Sequence, residues 1–369
     1  MLRQRTGVRT AKRPVTIVTG FLGSGKTTLL SRVLPSLANT AVLVNEFGKV
    51  GLDHHLLRRA DEKTVLLEHG CVCCTTREDL VAELLKLLDE EGRGEIPALD
   101  RVVVETTGLA DPAPILFTVF SHPVLQHHYR VDLVVVTVDA VNGELHLDRN
   151  PESTRQIASA DVVVLTKTDV VGSGSAAPLC ARIRGVNPSA RIIEASFGEV
   201  EPEELLRPPA DWSQDEPRGA SGSAPASATL VVEEGDTRHV SRTYSTSLTF
   251  DGPVDWAAFG IWFSMLLHAR GEDVLRVKGL LDIGGAGPVL LNGVQHVIHP
   301  PDHLEEWPDE ERRTRIIFIT RGVRPEELLA SLEAFRSIIG AGPRLMEASA
   351  PYEPGSRVRV TRVVPGSGA

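Results

Sequence analysis

Gly20-Phe21-Leu22-Gly23-Ser24-Gly25-Lys26-Thr27 follows the spacing G-x-x-x-x-G-K-[ST]. The chemistry this spacing suits is phosphate binding. Glycines allow backbone N–H groups to turn inward around phosphate oxygens, and a helix opening at the lysine adds the positive end of its dipole. Lys26 supplies a mobile cation for β- and γ-phosphates, and Thr27 offers a hydroxyl to Mg2+. Gly20, Gly23, Ser24, Gly25, Lys26 and Thr27 are therefore the expected phosphate-side residues of a nucleotide site.

Two later strand ends carry matching chemistry. In Arg101-Val102-Val103-Val104-Glu105-Thr106-Thr107-Gly108, an acid closes a buried apolar run, where it would hold Mg2+ directly or through water. Gly108 is small enough for its loop to approach the γ-phosphate and respond to its loss. Val164-Leu165-Thr166-Lys167-Thr168-Asp169 ends another run, and the Asp169 carboxylate can accept two hydrogen bonds from guanine N1 and N2. Adenine lacks that donor pair, so GTP is expected over ATP. Many guanine-reading motifs begin with Asn where this chain has Thr166, which changes the contact to guanine N7. Lys26, Thr27 and Glu105 form the expected catalytic group, with Thr166, Lys167, Asp169 and Gly108 completing the nucleotide contacts.

A different chemistry gathers at Cys71, Cys73 and Cys74, three of the four cysteines, too close together for long-loop disulfides. Thiolates bind metal, and a following helix N-terminus would lower their pKa. Three thiolates suit a borderline-soft ion such as Zn2+, and an unfilled fourth position leaves the site exchangeable. Glu46, Glu68, His69 or water could supply the fourth ligand; Glu46 is the one taken forward, because its loop would face both metal and γ-phosphate. The competing readings are small buried hydrophobes or a redox pair. Cys180 stands apart and reads as core.

The elements that must position these groups alternate from Val15 to about Ala195. Short apolar runs at Val15 to Thr19, Ala41 to Val44, Val65 to Leu67, Val102 to Val104, Leu133 to Val138, Val162 to Leu165 and Arg191 to Glu194 are separated by helical patterns. That rhythm predicts an α/β fold, a mainly parallel sheet flanked by helices. Leu80, Val81, Leu84, Leu85 and Leu88 mark one helix, with Thr75 and Glu78 as its capping box. Residues 207–228, rich in Pro, Ser, Gly and Ala, read as a linker. A smaller α+β domain is expected over 229–345, with strands at Thr229 to Glu233, Thr246 to Phe250, Val274 to Asp282, Val289 to Ile298 and Arg315 to Thr320. Its helices are predicted at Val254 to Ala269, whose aromatic stripe reads as core, and Pro325 to Ile339. Residues 14–206 then form the nucleotide domain, and 1–13 and 346–369 flexible tails.

The 369 residues, 42% of them apolar, suffice for two domains. A net charge of -10 argues against nucleic-acid binding, and the longest apolar stretches are far short of a membrane span. A soluble cytoplasmic protein with no nucleic-acid or membrane partner is expected; the sequence allows a homo-oligomer.

Together, the phosphate loop with Thr28-Leu29-Leu30 behind it, Val44-Asn45-Glu46-Phe47-Gly48, Gly70-Cys71-Val72-Cys73-Cys74-Thr75 and Glu105-Thr106-Thr107-Gly108-Leu109-Ala110-Asp111-Pro112 resemble the CobW-type P-loop GTPases and metallochaperones. Arg276-Val277-Lys278-Gly279 and Asn292-Gly293-Val294-Gln295-His296-Val297 resemble that family's C-terminal domain. The resemblance adds Thr28 to the nucleotide contacts. It implies a slow GTPase, using GTP and Mg2+, that couples nucleotide state to transfer of a transition metal to a client metalloprotein. Zinc is the favoured cargo. Cobalt or iron insertion, for cobalamin or nitrile hydratase maturation, and a nucleotide-gated metal sensor or scaffold are the alternatives. The His-rich stretch common near the family's domain junction has no counterpart in 207–228.

Overall fold

The computed structural model describes residues 12–44, 64–66, 77–172, 176–207 and 243–348. Their Cα positions divide into two compact units, one over 1–139, 161–169 and 193–208 and the other over 140–160, 170–192 and 209–369.

The first sheet is built from β1 (Arg13–Gly20), β2 (Thr40–Val44), β3 (Thr64–Leu66), β4 (Arg101–Glu105), β5 (Tyr129–Asp139), β6 (Val162–Thr166) and β7 (Arg191–Glu194). Their order is β3-β2-β4-β1-β5-β6-β7, and the six strands from β3 to β6 pair in parallel. Parallel strands are covered on both faces, which is why β4 and β6 read as unbroken apolar runs rather than alternating ones, and why β1 is buried at Thr16 and Thr19 as well as at its valines and isoleucine. Val15, Ile17 and Val18 in β1 and Val162 to Leu165 in β6 are all buried.

The helix Lys26–Val33 lays Leu29, Leu30 and Val33 on this sheet, against Val18, Val103, Leu133 and Val164. Burying each such side chain contributes about 1.5 to 3 kcal/mol. In the helix Arg77–Arg93 the fully buried positions are Leu80, Leu84 and Leu87, whereas Val81, Leu85 and Leu88 are half-buried. The buried face is thus turned by one residue from the predicted stripe. The predicted capping residue Thr75 lies outside the described residues.

Strand β1 enters beside a small polar knot. Arg13 sits over the Tyr129 ring at 5.4 Å, bonds Leu99 O at 3.1 Å and pairs with Glu91. The Tyr129 hydroxyl donates to Leu84 O at 2.9 Å, and its burial pushes the phenol up to about 12.

In the second unit, β8 (Thr243–Phe250), β9 (Val274–Leu281), β10 (Val289–Val294), β11 (Val297–Ile298), β12 (Asp302–His303), β13 (Arg315–Arg321) and β14 (Pro343–Ala348) form an antiparallel sheet. The order is β11-β10-β9-β13-β8-β14, with β12 on β10. Asp255 caps the helix Trp256–Arg270, accepting from Ala258 N at 2.8 Å. Phe259, Trp262 and Phe263 from that helix meet Phe318 of β13 in an aromatic core, with Trp262 and Phe318 edge to face at 6.0 Å.

Three expectations change here. The run Val289 to Ile298 is a hairpin, not one strand, turning at Gln295-His296 with Gln295 at φ 53. No glycine marks that turn, so the sequence hides it. The helix from Pro325 breaks at Phe335 into Pro325–Ala334 and Arg336–Ile339. Cys180 is half-buried on the helix Ala177–Val186 rather than core. The expected strand Thr229 to Glu233 lies outside the described residues.

The second unit also contains the helices Gly143–Arg149, Pro151–Ser159 and Ala177–Val186. Pro151–Ser159 packs near β9, and the fully buried Arg276 donates to Ser159 O at 2.5 Å. A guanidinium at the carbonyl end of a helix complements its dipole. The residues this helix buries mix polar and apolar, Ser153, Thr154 and Gln156 being enclosed along with Ile157 and Ala158.

Candidate functional site

The C-terminal ends of β1, β4, β5 and β6 lie side by side, with Gly20 in register with Thr137, Val18 with Glu105, and Asp139 with Thr166. In open α/β sheets this is the edge at which ligands bind.

The loop after β1 is closed by contacts that only glycine allows. Gly20 takes φ 141, and a Cβ there would meet Thr137 Oγ1 at 2.3 Å. Gly23 and Gly25 take φ 70 and 91, in the left-handed region. Gly25 opens the helix Lys26–Val33, whose N-terminus has no side-chain cap, an arrangement that suits an anionic acceptor from outside the helix. Lys26 Nζ folds back along the loop to Gly20 O at 2.9 Å and Phe21 O at 3.3 Å. Ser24 does not present its hydroxyl outward: it is buried and bonded to Thr137 Oγ1 at 2.6 Å.

Thr27 Oγ1 donates to Glu105 Oε1 at 2.9 Å, and Glu105 is only 3% exposed. A hydroxyl and a buried carboxylate meeting at a phosphate cradle are the donor set that Mg2+ accepts, since it takes one or two protein oxygens and completes its shell with phosphate and water. The residues present therefore fit that ion. Thr106 N bonds Val18 O at 2.9 Å and its hydroxyl meets Thr19 Oγ1 at 2.7 Å, which fixes the strand end that carries Glu105. Gly108 packs directly on the phosphate loop: a Cβ there would lie 2.6 Å from Leu22 N.

On the other side, Thr166 Oγ1 donates to Ser24 O at 2.6 Å and to Val138 O at 3.3 Å. The hydroxyl that stands where many motifs have Asn is thus committed to the phosphate loop. Lys167 has φ 59 and its Nζ pairs with Asp139 Oδ2 at 2.7 Å. Asp169 is exposed, and its Oδ1 accepts from Phe197 N at 3.1 Å. Thr28, also exposed, is approached by Gly198, whose Cβ would come within 3.1 Å of Thr28 Cγ2.

Lys26, Thr27, Glu105, Gly108, Thr166 and Asp169 thus sit at one sheet edge. Cys71, Cys73, Cys74 and Glu46, with Glu68 and His69, lie outside the described residues. Among the described residues no group of three or more His, Cys, Asp or Glu is arranged to hold a metal. Sequence reasoning passed over Asp139, Thr137 and the Ser196-Phe197-Gly198 loop. Asp139 carried a usable signal, an acid closing an apolar strand as Glu105 does; the loop after β7 carried only its place at the end of a strand.

Residues 14–194 match the family described as CobW/HypB/UreG, nucleotide-binding domain, and residues 244–336 match the cobalamin synthesis protein cobW C-terminal domain. The zinc chaperone YjiA of Escherichia coli is 33% identical over 325 residues, covering 87% of this chain and 98% of that protein. The zinc-regulated GTPase metalloprotein activator 1 of Schizosaccharomyces pombe is 35% identical, covering 86% and 81%. The crystal structure of the Zn(II)-bound YjiA GTPase from E. coli superposes with a TM-score of 0.62 at 29% identity, covering 88% of this chain and 99% of that one.

Proposed function

The chain belongs to the CobW/HypB/UreG family, with that family's cobW C-terminal domain, and from that premise we propose that it is a GTP-hydrolysing zinc chaperone. Its nucleotide state controls transfer of Zn2+ to a client metalloprotein. The observation that carries this reading is the full-length likeness to a zinc chaperone, spanning both domains.

The geometry supports a division of labour in hydrolysis. Lys26 leaves its loop carbonyls to meet the β- and γ-phosphates, and the first-turn N–H groups of Lys26–Val33 stabilise the charge that develops on the transferred group. Thr27 and Glu105 hold Mg2+, which when bound neutralises charge on the phosphate oxygens. Gly20, Gly23, Ser24, Gly25 and Thr28 complete the phosphate side. Gly108 keeps the loop after β4 against Leu22, where loss of the γ-phosphate is felt. Asp169 reads the guanine edge. No catalytic base or arginine finger stands in this reading, which makes the intrinsic reaction slow and open to stimulation by the client.

For the cargo, Cys71, Cys73 and Cys74 supply three thiolates and Glu46 a fourth ligand from the segment that also faces the nucleotide. The zinc named in the relatives supports zinc over cobalt or iron. The reading places the protein in the cytoplasm without a nucleic-acid or membrane partner; no described helix is long and apolar enough to cross a membrane.

Zinc affinity measured by chelator competition in GTP-bound and GDP-bound protein tests the coupling. The proposal requires different affinities in the two states; equal affinities remove nucleotide-controlled transfer.

A further inference from the structure

We propose that Asp139 is a positioning residue of the base site, acting through Lys167 to aim Asp169. This rests on the guanine reading given above.

Asp139 ends β5 in register with Thr166 and is 2% exposed, so its carboxylate is held away from bulk water. A buried carboxylate requires a compensating charge, and the Lys167 ammonium stands 2.7 Å from Oδ2. Lys167 meanwhile has φ 59, a left-handed conformation that side chains with a Cβ disfavour. Something must hold it there. Thr166 fixes the preceding residue through Ser24 O, and Asp139 fixes the lysine from its side-chain end.

With Lys167 folded back on Asp139, the chain reverses at that residue and delivers Asp169 two positions later to Phe197 N–H. That bond holds one oxygen of the Asp169 carboxylate, Oδ1. Without the Asp139 charge, the long lysine side chain gains rotamers, the left-handed turn loses its support, and Asp169 loses its aim. The phosphate side touches this turn through Thr166 and Ser24 O, but it is also held by Thr137, Thr19 and Thr106, so it depends on the pair less than Asp169 does.

The test uses the full chain and its Asp139→Asn, Lys167→Ala and double variants, titrated with GDP and ADP in Mg2+. Losing a charge-assisted hydrogen bond that sets the base contact weakens GDP by about tenfold in Asp139→Asn. ADP, which makes no use of Asp169, changes less than about threefold on the same argument. Because Asp139 acts through Lys167, the double variant binds GDP within about twofold of Lys167→Ala. Equal losses for GDP and ADP, or a double variant that is a further tenfold weaker, overturn the inference. Should Asp139→Asn alone fail to fold, the comparison of Lys167→Ala with the double variant still decides. There, removing the Asp139 carboxylate leaves GDP affinity within about twofold. A wild-type chain that binds ADP as tightly as GDP overturns the guanine reading and this inference together; a selective wild type with an indifferent Asp139→Asn overturns the inference alone.

Discussion

Replacing Gly108 by alanine adds one methyl group at the tightest backbone approach between the β4 loop and the phosphate loop. Its Cβ would lie 2.6 Å from Leu22 N and 2.7 Å from Leu22 Cα, both under the 3.0 Å that carbon contacts of this kind respect. These two atoms are main chain, so moving the Leu22 side chain, whose Cδ2 is also at 2.7 Å, does not relieve the clash. Either the loop Gly20 to Gly25 or the segment after Glu105 must move. Overpacking of this sort costs about 1 to 3 kcal/mol. Since both segments belong to the proposed phosphate machinery, the cost falls on the arrangement that binds nucleotide, corresponding to a loss of about 5- to 150-fold in affinity. The assay is titration of GDP and GTP with a fluorescent analogue in Mg2+, paired with GTP turnover. Gly92→Ala is the control: a Cβ there meets nothing within 4 Å, near the end of the helix Arg77–Arg93. That change should stabilise the protein by about 0.5 to 1 kcal/mol and leave nucleotide binding alone. A Gly108→Ala protein that binds GDP within twofold of wild type and turns over normally would refute the close-approach argument.

Thr27→Ala, which removes the hydroxyl bonded to Glu105, should raise the Mg2+ concentration needed for half-maximal GTP turnover and lower turnover by about ten- to a hundredfold; unchanged Mg2+ dependence would exclude Thr27 from that site. Cys73→Ser should lower bound zinc per chain, checked by metal analysis of purified protein, while GDP affinity compared between zinc-free proteins stays as in wild type; full zinc retention counts against the three-cysteine site. Tyr129 titrates at about 12 in the folded chain because of burial, against an ordinary 10.0. The folded value is the higher one, so this contribution, on the order of 2 to 3 kcal/mol, is intact below about pH 10 and lost as pH rises through about 12. Tyr129→Phe should flatten the fall in stability across that window, measured by denaturant unfolding at stepped pH; an unchanged slope would show that the phenol is not its source.

Much of the nucleotide half was legible because a parallel sheet leaves a strong trace. Each strand from β1 to β7 is a short apolar run, and the groups that do chemistry fall where those runs stop. The phosphate loop was the clearest, since its glycines are demanded by backbone geometry that the structure contains, φ 70 at Gly23 and φ 91 at Gly25. Thr166 was read as a nucleotide contact with an altered bond to guanine N7. Its positive role, a bond to Ser24 O across 142 residues of sequence, is a long-range fact that no local pattern encodes. The Asp139 to Lys167 pair escaped for the same reason, its partners being 28 residues apart. The hairpin at Gln295 was missed because its left-handed residue is neither Gly, Asn nor Asp, so tertiary pairing of β10 and β11 overrides the turn preference.

The bond from Arg276 to Ser159 joins positions 117 residues apart, and that interval is also a delay. At a synthesis rate of about 5 to 20 residues per second, the helix Pro151–Ser159 waits roughly 6 to 23 s before its guanidinium partner is made. An apolar helix face left in water for that time would seek other chains. Ser153, Thr154 and Gln156, buried in the finished protein, are side chains that water can solvate in the meantime. A buried surface that sets these polar side chains beside Ile157 and Ala158 is one a nascent chain on the ribosome can keep exposed more safely than a wholly apolar one.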